Sequence, residues 1–165
     1  AIAIPNFLRY QLRAKSSELK ENVGAIFKSE EATKQGEASG GVYLALAGSP
    51  LPNGKTPGAA KQPWSNTDIA NAAQIDWVVE GSTYGVYGVA IATGNAIHLS
   101  AWGQSDVDAD NIYKCVYLFK ATLTSTGAVS TNGTGQPAAC QTAVTFPTTG
   151  PWGQATNQDP NDRIF

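Results

Sequence analysis

From residue 6 to residue 35 the chain keeps one helical period: Leu8, Leu12, Leu19, Val23 and Ile26 recur at the spacing of a single helix face, with a polar gap at Ser16. Arg9, Arg13, Ser17, Lys20, Lys28 and Glu31 trace a polar stripe on another face. A helix of roughly 30 residues runs about 45 Å, longer than the head that the rest of the chain can build. Any fold of this sequence must therefore accommodate a rod that outreaches its own core. Glu30 and Lys34 are spaced for an i,i+4 ion pair. Gly24 costs the helix about 1 kcal/mol relative to alanine, so packing has to compensate. Gly36 and then Gly40-Gly41 end the run.

Beyond the helix the pattern changes. Residues 42–83 read as irregular, because Pro50, Pro52, Gly54, Pro57 and Gly58 forbid long regular elements; Trp64 is expected to anchor this loop to the core. A period of two then takes over. Residues 84–92 read as a strand, and 96–102 as its partner across Thr93-Gly94-Asn95. In 113–121, Tyr113, Cys115, Tyr117 and Phe119 alternate with Lys114, Val116, Leu118 and Lys120. Residues 142–146 suggest a short fourth strand, and everything after Pro147 reads as loop and tail. The expectation is an α+β fold: a long N-terminal helix (1–36) packed on an antiparallel sheet of about four strands within a head formed by 37–165. A chain of 165 residues suits one domain.

Composition narrows the function. Charged residues are 15% of the chain and the net charge is −2, which gives no general affinity for nucleic acid. No segment has the ~18 consecutive apolar residues of a membrane span. Cys115 and Cys140 are the only cysteines and His98 the only histidine, too few for a structural zinc site. A disulfide between the two cysteines would close a loop of about 25 residues and stabilise the fold by about 3–4 kcal/mol. The polar, glycine-rich composition favours that bridge, and hence an exported protein, over two separate buried thiols.

No nucleophile elbow, phosphate loop or zinc-protease helix occurs, so an enzyme is not expected. His98, on a strand face with Ser100 and Trp102, reads as structural. Tyr84, Tyr87, Tyr113, Tyr117 and the tryptophans read as core and loop anchors. Asn132-Gly133-Thr134 has the form of a glycosylation sequon and equally that of a turn. The one ligand-like pattern is Ser105-Asp106-Val107-Asp108-Ala109-Asp110-Asn111. Asp106, Asp108 and Asp110 alternate as a calcium ion would want, and a backbone carbonyl near Ile112 could join them. It is not an EF-hand, having Asn111 for the glycine at the sixth position and Tyr117 for the glutamate at the twelfth. Calcium is the only cofactor the sequence raises; a solvated acidic turn is the alternative.

The first residues carry a family resemblance. Ala1-Ile2-Ala3-Ile4-Pro5-Asn6-Phe7, leading into an amphipathic helix, resembles the N-terminal region of type IV pilins, in which an apolar segment ending AIAIPNF or a close variant continues into the helix that bears the head. Asn22-Val23 and Ala25-Ile26-Phe27 resemble the second half of that helix in pilins of Myxococcus-like and Geobacter-like bacteria. Asp76-Trp77, Glu80-Gly81 and residues 84–87 resemble their heads. The resemblance implies a pilin fold and a filament subunit at the cell surface, serving attachment or twitching motility. Pro5, Phe7, Leu8, Leu12, Leu19, Val23, Ile26 and Phe27 would then form the assembly helix.

Its partners would be other copies of itself and the pilus assembly machinery, with the inner membrane before assembly. The family's cleavage site and most of its apolar segment are expected to lie upstream of Ala1. Pro5 would loosen the helix where neighbouring helices cover the freed carbonyl, or serve as an ordinary first-turn proline. Acidic loops, some calcium-binding, also occur in related pilins and in the pseudopilins of type II secretion. A pseudopilin is accordingly the second reading; the cysteine pair and the Gly/Ser/Thr-rich head favour a pilin. A secreted enzyme or binding module would need a cleft of converging polar groups, for which the sequence offers no candidate set.

Overall fold

The structure, a computed structural model, describes residues 3–36, 39–92, 98–120 and 155–158; of these, 3–5, 92, 98, 119 and 155–158 are described by backbone alone. The order of elements is α1 (Ala3–Gln35), β1 (Gln62–Pro63), α2 (Asn66–Ala73), β2 (Ser82–Thr83), β3 (Gly85–Ala92), β4 (His98–Ser105), β5 (Lys114–Lys120) and β6 (Ala155–Gln158). Strands β3-β4-β5-β6 form one antiparallel sheet in chain order, and β1-β2 pair separately. The fold is therefore α+β, with a long N-terminal helix against an antiparallel sheet.

Helix α1 follows the sequence period closely. Pro5 falls in its first described turn. At the other end the Gly36 N–H donates to the carbonyls of Ala32 and Thr33, and the Ser39 hydroxyl donates to the Thr33 carbonyl at 2.6 Å. Leu19, Val23 and Ile26 are buried in one cluster with Tyr87 of β3, Ala101 of β4 and Val116 of β5. Glycine makes the close approach possible. A Cβ at Gly103 would stand 2.8 Å from both Leu19 Cδ1 and Val23 Cγ2, and one at Gly85 only 2.7 Å from Leu19 Cδ1. The helix thus seats Leu19 and Val23 in a notch that any other residue would fill.

The sheet is buried on both faces, and the alternation along β5 sorts its residues as the sequence implied. Val116 and Leu118 join the helix-side cluster, while Cys115 and Tyr117 pack with Val86 and Trp102 on the other face. Cys115 is disulfide-bonded and no described cysteine is free. Cys140, the chain's other cysteine, lies outside the described residues, as do the expected turn Thr93-Gly94-Asn95, residues 96–97 and the sequon at Asn132. On the outer edge of β3, Leu51 and Tyr87 exchange N–H···O bonds of 2.7 and 2.8 Å, so a loop segment covers part of that edge.

Three expectations need correction. The stretch 42–83 is not wholly irregular: it contains α2 and the short β1-β2 pair. Ser65 and Asp68 form a capping box there, in which the Ser65 hydroxyl accepts the Asp68 N–H and the Asp68 carboxylate accepts the Ser65 N–H. The segment after Pro147 is not all loop, because Ala155–Gln158 pairs with Tyr117–Lys120 as the fourth strand. The expected strand at 142–146 lies outside the described residues. Finally, Glu30 and Lys34 do not pair. Glu30 has no exposed surface, while Lys34 Nζ lies 4.4 Å from the centre of the Tyr43 ring. The three-to-four spacing that makes i,i+4 partners also places Glu30 in line with Val23 and Ile26, and packing on the sheet decides between the two. Trp64 behaves as expected: its Nε1–H donates to Thr83 Oγ1 at 3.0 Å, and its ring meets Trp77 edge-on with centroids 5.3 Å apart.

Candidate functional site

The surface that stands out is α1 itself, because its two halves live in different surroundings. In residues 16–30 one face is buried: Ser16, Leu19, Val23, Ile26 and Glu30 are each at most 3% exposed. Upstream the apolar side chains are uncovered. Phe7 is 61% exposed, Leu8 53% and Tyr10 69%, and Leu12 is half-buried. Fully burying side chains of this kind is worth about 1.5–3 kcal/mol each, so their exposure within about 8 Å of helix is the largest unused hydrophobic resource on the helix. Isolated exposed apolar residues are ordinary; Phe7 and Tyr10, three residues apart, share one face, and Leu8 stands about 100° round the helix from Phe7.

The docked half is pinned at both ends by polar contacts that periodicity did not reveal. Near its start, Tyr84 N–H donates to Glu18 Oε1 at 2.8 Å, Asn22 Nδ2 donates to the Tyr87 hydroxyl at 2.9 Å, and Lys61 Nζ lies 3.2 Å from Glu18 Oε2. Burial, together with the Glu18 charge, pushes the Tyr87 phenol up despite the Asn22 hydrogen bond. Near its end, Lys120 of β5 donates to Glu31 Oε2 at 2.5 Å and the Tyr43 hydroxyl donates to Glu31 Oε1. Burial alone would raise the Glu31 carboxyl. The hydrogen bonds from Lys120 and Tyr43 and the charges of Lys120 and Lys34 outweigh it and hold the group below the usual carboxylate range. Glu30, one residue earlier, goes the other way. Burial moves it from 4.5 to about 7, against the hydrogen bond from the Leu44 N–H and with the Glu31 charge.

Of the residues expected to form the assembly helix, Leu19, Val23 and Ile26 therefore serve the head, and Phe27 packs partly buried against the same cluster. Phe7 and Leu8 are the members left uncovered, with Leu12 at the boundary; the Pro5 side chain lies outside the described atoms. No partner was expected for Glu18, Asn22 or Glu31, because each finds its partners on other elements of the fold. Among the described residues no helix is long and apolar enough to cross a membrane.

The turn between β4 and β5 gathers the three aspartates. One carboxylate oxygen from each of Asp106, Asp108 and Asp110 lies within 4.8 Å of the other two. Ala109 (φ 59°) and Asn111 (φ 65°) adopt the left-handed conformation, so asparagine supplies the backbone turn that glycine makes in other acidic loops. Asp110 Oδ1 accepts the Ile112 N–H at 2.7 Å. Asp108, although exposed overall, is held above the usual carboxylate range by local desolvation and by the charges of Asp110 and Asp106.

An open cleft of about 560 Å³ runs beside α2, lined by residues that include Asn53, Lys55, Trp64 and Asp68. Its acid is committed to structure. Asp68 accepts from the Ser65 N–H and hydroxyl and from the Asn53 N–H, contacts that outweigh burial and lower its pKa. His98 is described by backbone alone, pairing with Ala92 at the end of the β3-β4 ladder. What fold and site define is an α+β domain bearing a helix with one docked and one uncovered half. Comparison with family models, with curated proteins and with solved structures returned no match to this chain.

Proposed function

We propose that this chain is the structural subunit of a type IV pilus filament, a pilin that polymerises through its N-terminal helix. The observation that carries the reading is the divided helix. Its residues 16–30 fasten the rod to the head, and Phe7, Leu8 and Tyr10 lie open further up the same rod. The AIAIPNF start and its continuation into the helix support the family. In such a subunit the uncovered half meets the helices of other copies, so filament formation buries what the single copy exposes. The heads then tile the outside, where a disulfide-bonded sheet suits an oxidising environment. The work of the protein is mechanical, with no catalytic step and the pilus assembly machinery as its other partner.

The test is genetic and visual. Deleting the gene for this chain should remove long surface filaments and with them surface attachment or twitching, and restoring it should return both. Filaments that persist while protein export stops would instead make it a type II secretion pseudopilin. Unchanged filaments and unchanged export would exclude both readings.

A further inference from the structure

We propose that the β4–β5 turn of one copy docks on the back of the uncovered half of α1 in a second copy, its aspartates against Arg9 and Arg13 and its Ile112 against Tyr10. The inference rests on the filament reading and names a surface of the neighbour that this reading leaves open. Two crowds of like charge on the same molecule carry it. Residues 6–17 hold Arg9, Arg13 and Lys15 and no acidic side chain. Lys15 turns to its own head, with Nζ 5.2 Å from the centre of the Tyr84 ring. Arg9 and Arg13 stand at i,i+4, a spacing at which like charges repel, and no acid lies within four positions of either to relieve them. In the turn, a carboxylate oxygen from each of Asp106, Asp108 and Asp110 comes within 4.8 Å of the other two. Desolvation, the Asp110 charge, and the hydrogen bond and charge of Asp106 hold the Asp108 carboxyl above its usual range. Each crowd is unfavourable alone, and each supplies what the other lacks.

Helix geometry decides which side of the rod is available. At about 100° per residue, Tyr10 points almost directly away from the line of Leu19, Val23 and Ile26, with Phe7 and Arg13 about 60° to either side. That face is turned from the chain's own sheet, and all three of its residues are exposed. The turn offers the matching chemistry. Asp108 and Asp110 are exposed, and Ile112, 56% exposed, adds an apolar side chain to the acidic tip. Helix α1 runs along the sheet from Gly85 and Gly103, beside Leu19, to Lys120, beside Glu31. The uncovered half therefore leaves the head at the end of the sheet that carries the turn. A second copy set further along the rod brings its turn beside the uncovered face of the first. Because the two surfaces differ, each copy uses both; a heterologous contact of that kind repeats from copy to copy and, where it does not close on itself, builds a filament. A guanidinium bonds two carboxylate oxygens in one plane, which suits crowded carboxylates better than a point charge does. An exposed ion pair alone is worth little, so the contact fixes the register between copies more than it drives assembly. An anionic lipid headgroup would match the arginines too, but it would leave the aspartates and Ile112 uncovered.

The experiment is charge exchange in the full-length chain, expressed in cells from which its gene has been deleted, with surface filaments sheared off and quantified. Arg13→Glu and Asp108→Lys should each reduce filament yield about tenfold or more, because each sets like charges against one another. The variant carrying both changes should return the yield to within about threefold of the parent, since the two effects are coupled rather than additive. Both positions are exposed, so the folded head of every variant should melt within about 2 °C of the parent. Asp108→Asn and Arg13→Gln, which remove charge without reversing it, should fall between the parent and the reversals. Single reversals that assemble like the parent would overturn the docking. So would a double variant no better than the singles, the result expected if Arg13 meets a lipid headgroup. A parent chain that itself forms no filaments would overturn the filament reading, and this inference with it.

Discussion

Glu30 lies on the buried line of α1 with no exposed surface, one oxygen accepting the Leu44 N–H and the other, Oε1, without a partner. Its pKa of about 7, raised from 4.5 by burial, makes the folded protein hold a proton that the unfolded chain releases earlier. Between roughly pH 4.5 and 7 the native state therefore binds more protons than the unfolded one, and stability falls as pH rises through that window. The contribution is full below the window and is lost above it, by at most about 3 kcal/mol. Glu31, whose pKa is lowered, works in the opposite sense and loses its contribution as pH falls. Glu30→Gln should flatten the decline between pH 4.5 and 7 in urea unfolding, while leaving the acid limb in place. An unchanged profile would mean that Glu30 does not carry it. The helical period alone puts Glu30 in register with Val23 and Ile26, but its charge argues for solvent. Only the sheet beneath it settles the matter, because burial depends on what the face meets.

At the level of elements, α1 was legible nearly to the residue, since its period is a local property and its glycine stop is adjacent. Strands β3, β4 and β5 were legible for the same reason, though β4 runs on to Ser105 because Gly85 and Val86 of β3 supply its partners. The halves of α1 differ in a way that periodicity cannot show, for Leu8 and Leu19 satisfy the same pattern. Substitution separates them. Val23→Asp would bury an unpaired charge against the sheet and should destabilise the head by about 3–5 kcal/mol in a urea or thermal melt. Phe7→Asp, at a position 61% exposed, should leave the melt within about 0.5 kcal/mol of the parent. In cells it should nevertheless abolish incorporation into filaments, because the charge falls on the surface proposed to meet other copies. A Val23→Asp protein that melts normally would contradict the docking of α1 described above.

For the molecule as a whole, the disulfide at Cys115 ties the sheet near the β4–β5 turn, where the cysteine is fully buried beside Tyr117 and Trp102. Reducing it should lower stability by about 2–4 kcal/mol, seen as an earlier urea midpoint with dithiothreitol present, and a Cys115→Ser, Cys140→Ser variant should no longer respond to the reductant. The acidic turn was legible as a pattern of alternating aspartates; the gathering of their oxygens within 4.8 Å was not, since it exists only once the turn folds. From its order of residues alone, the chain announces a long helix, a change of period from 3.6 to two and a sheet of alternating strands. All of these arise between near neighbours, where spacing dictates which side chains share a face. The tertiary structure decided the rest: which half of the helix is covered, which of two adjacent glutamates is buried, and that Ala155–Gln158 returns to complete the sheet beside β5. Those outcomes rest on contacts between segments far apart in the chain, and no local period encodes which distant surface a given face will meet.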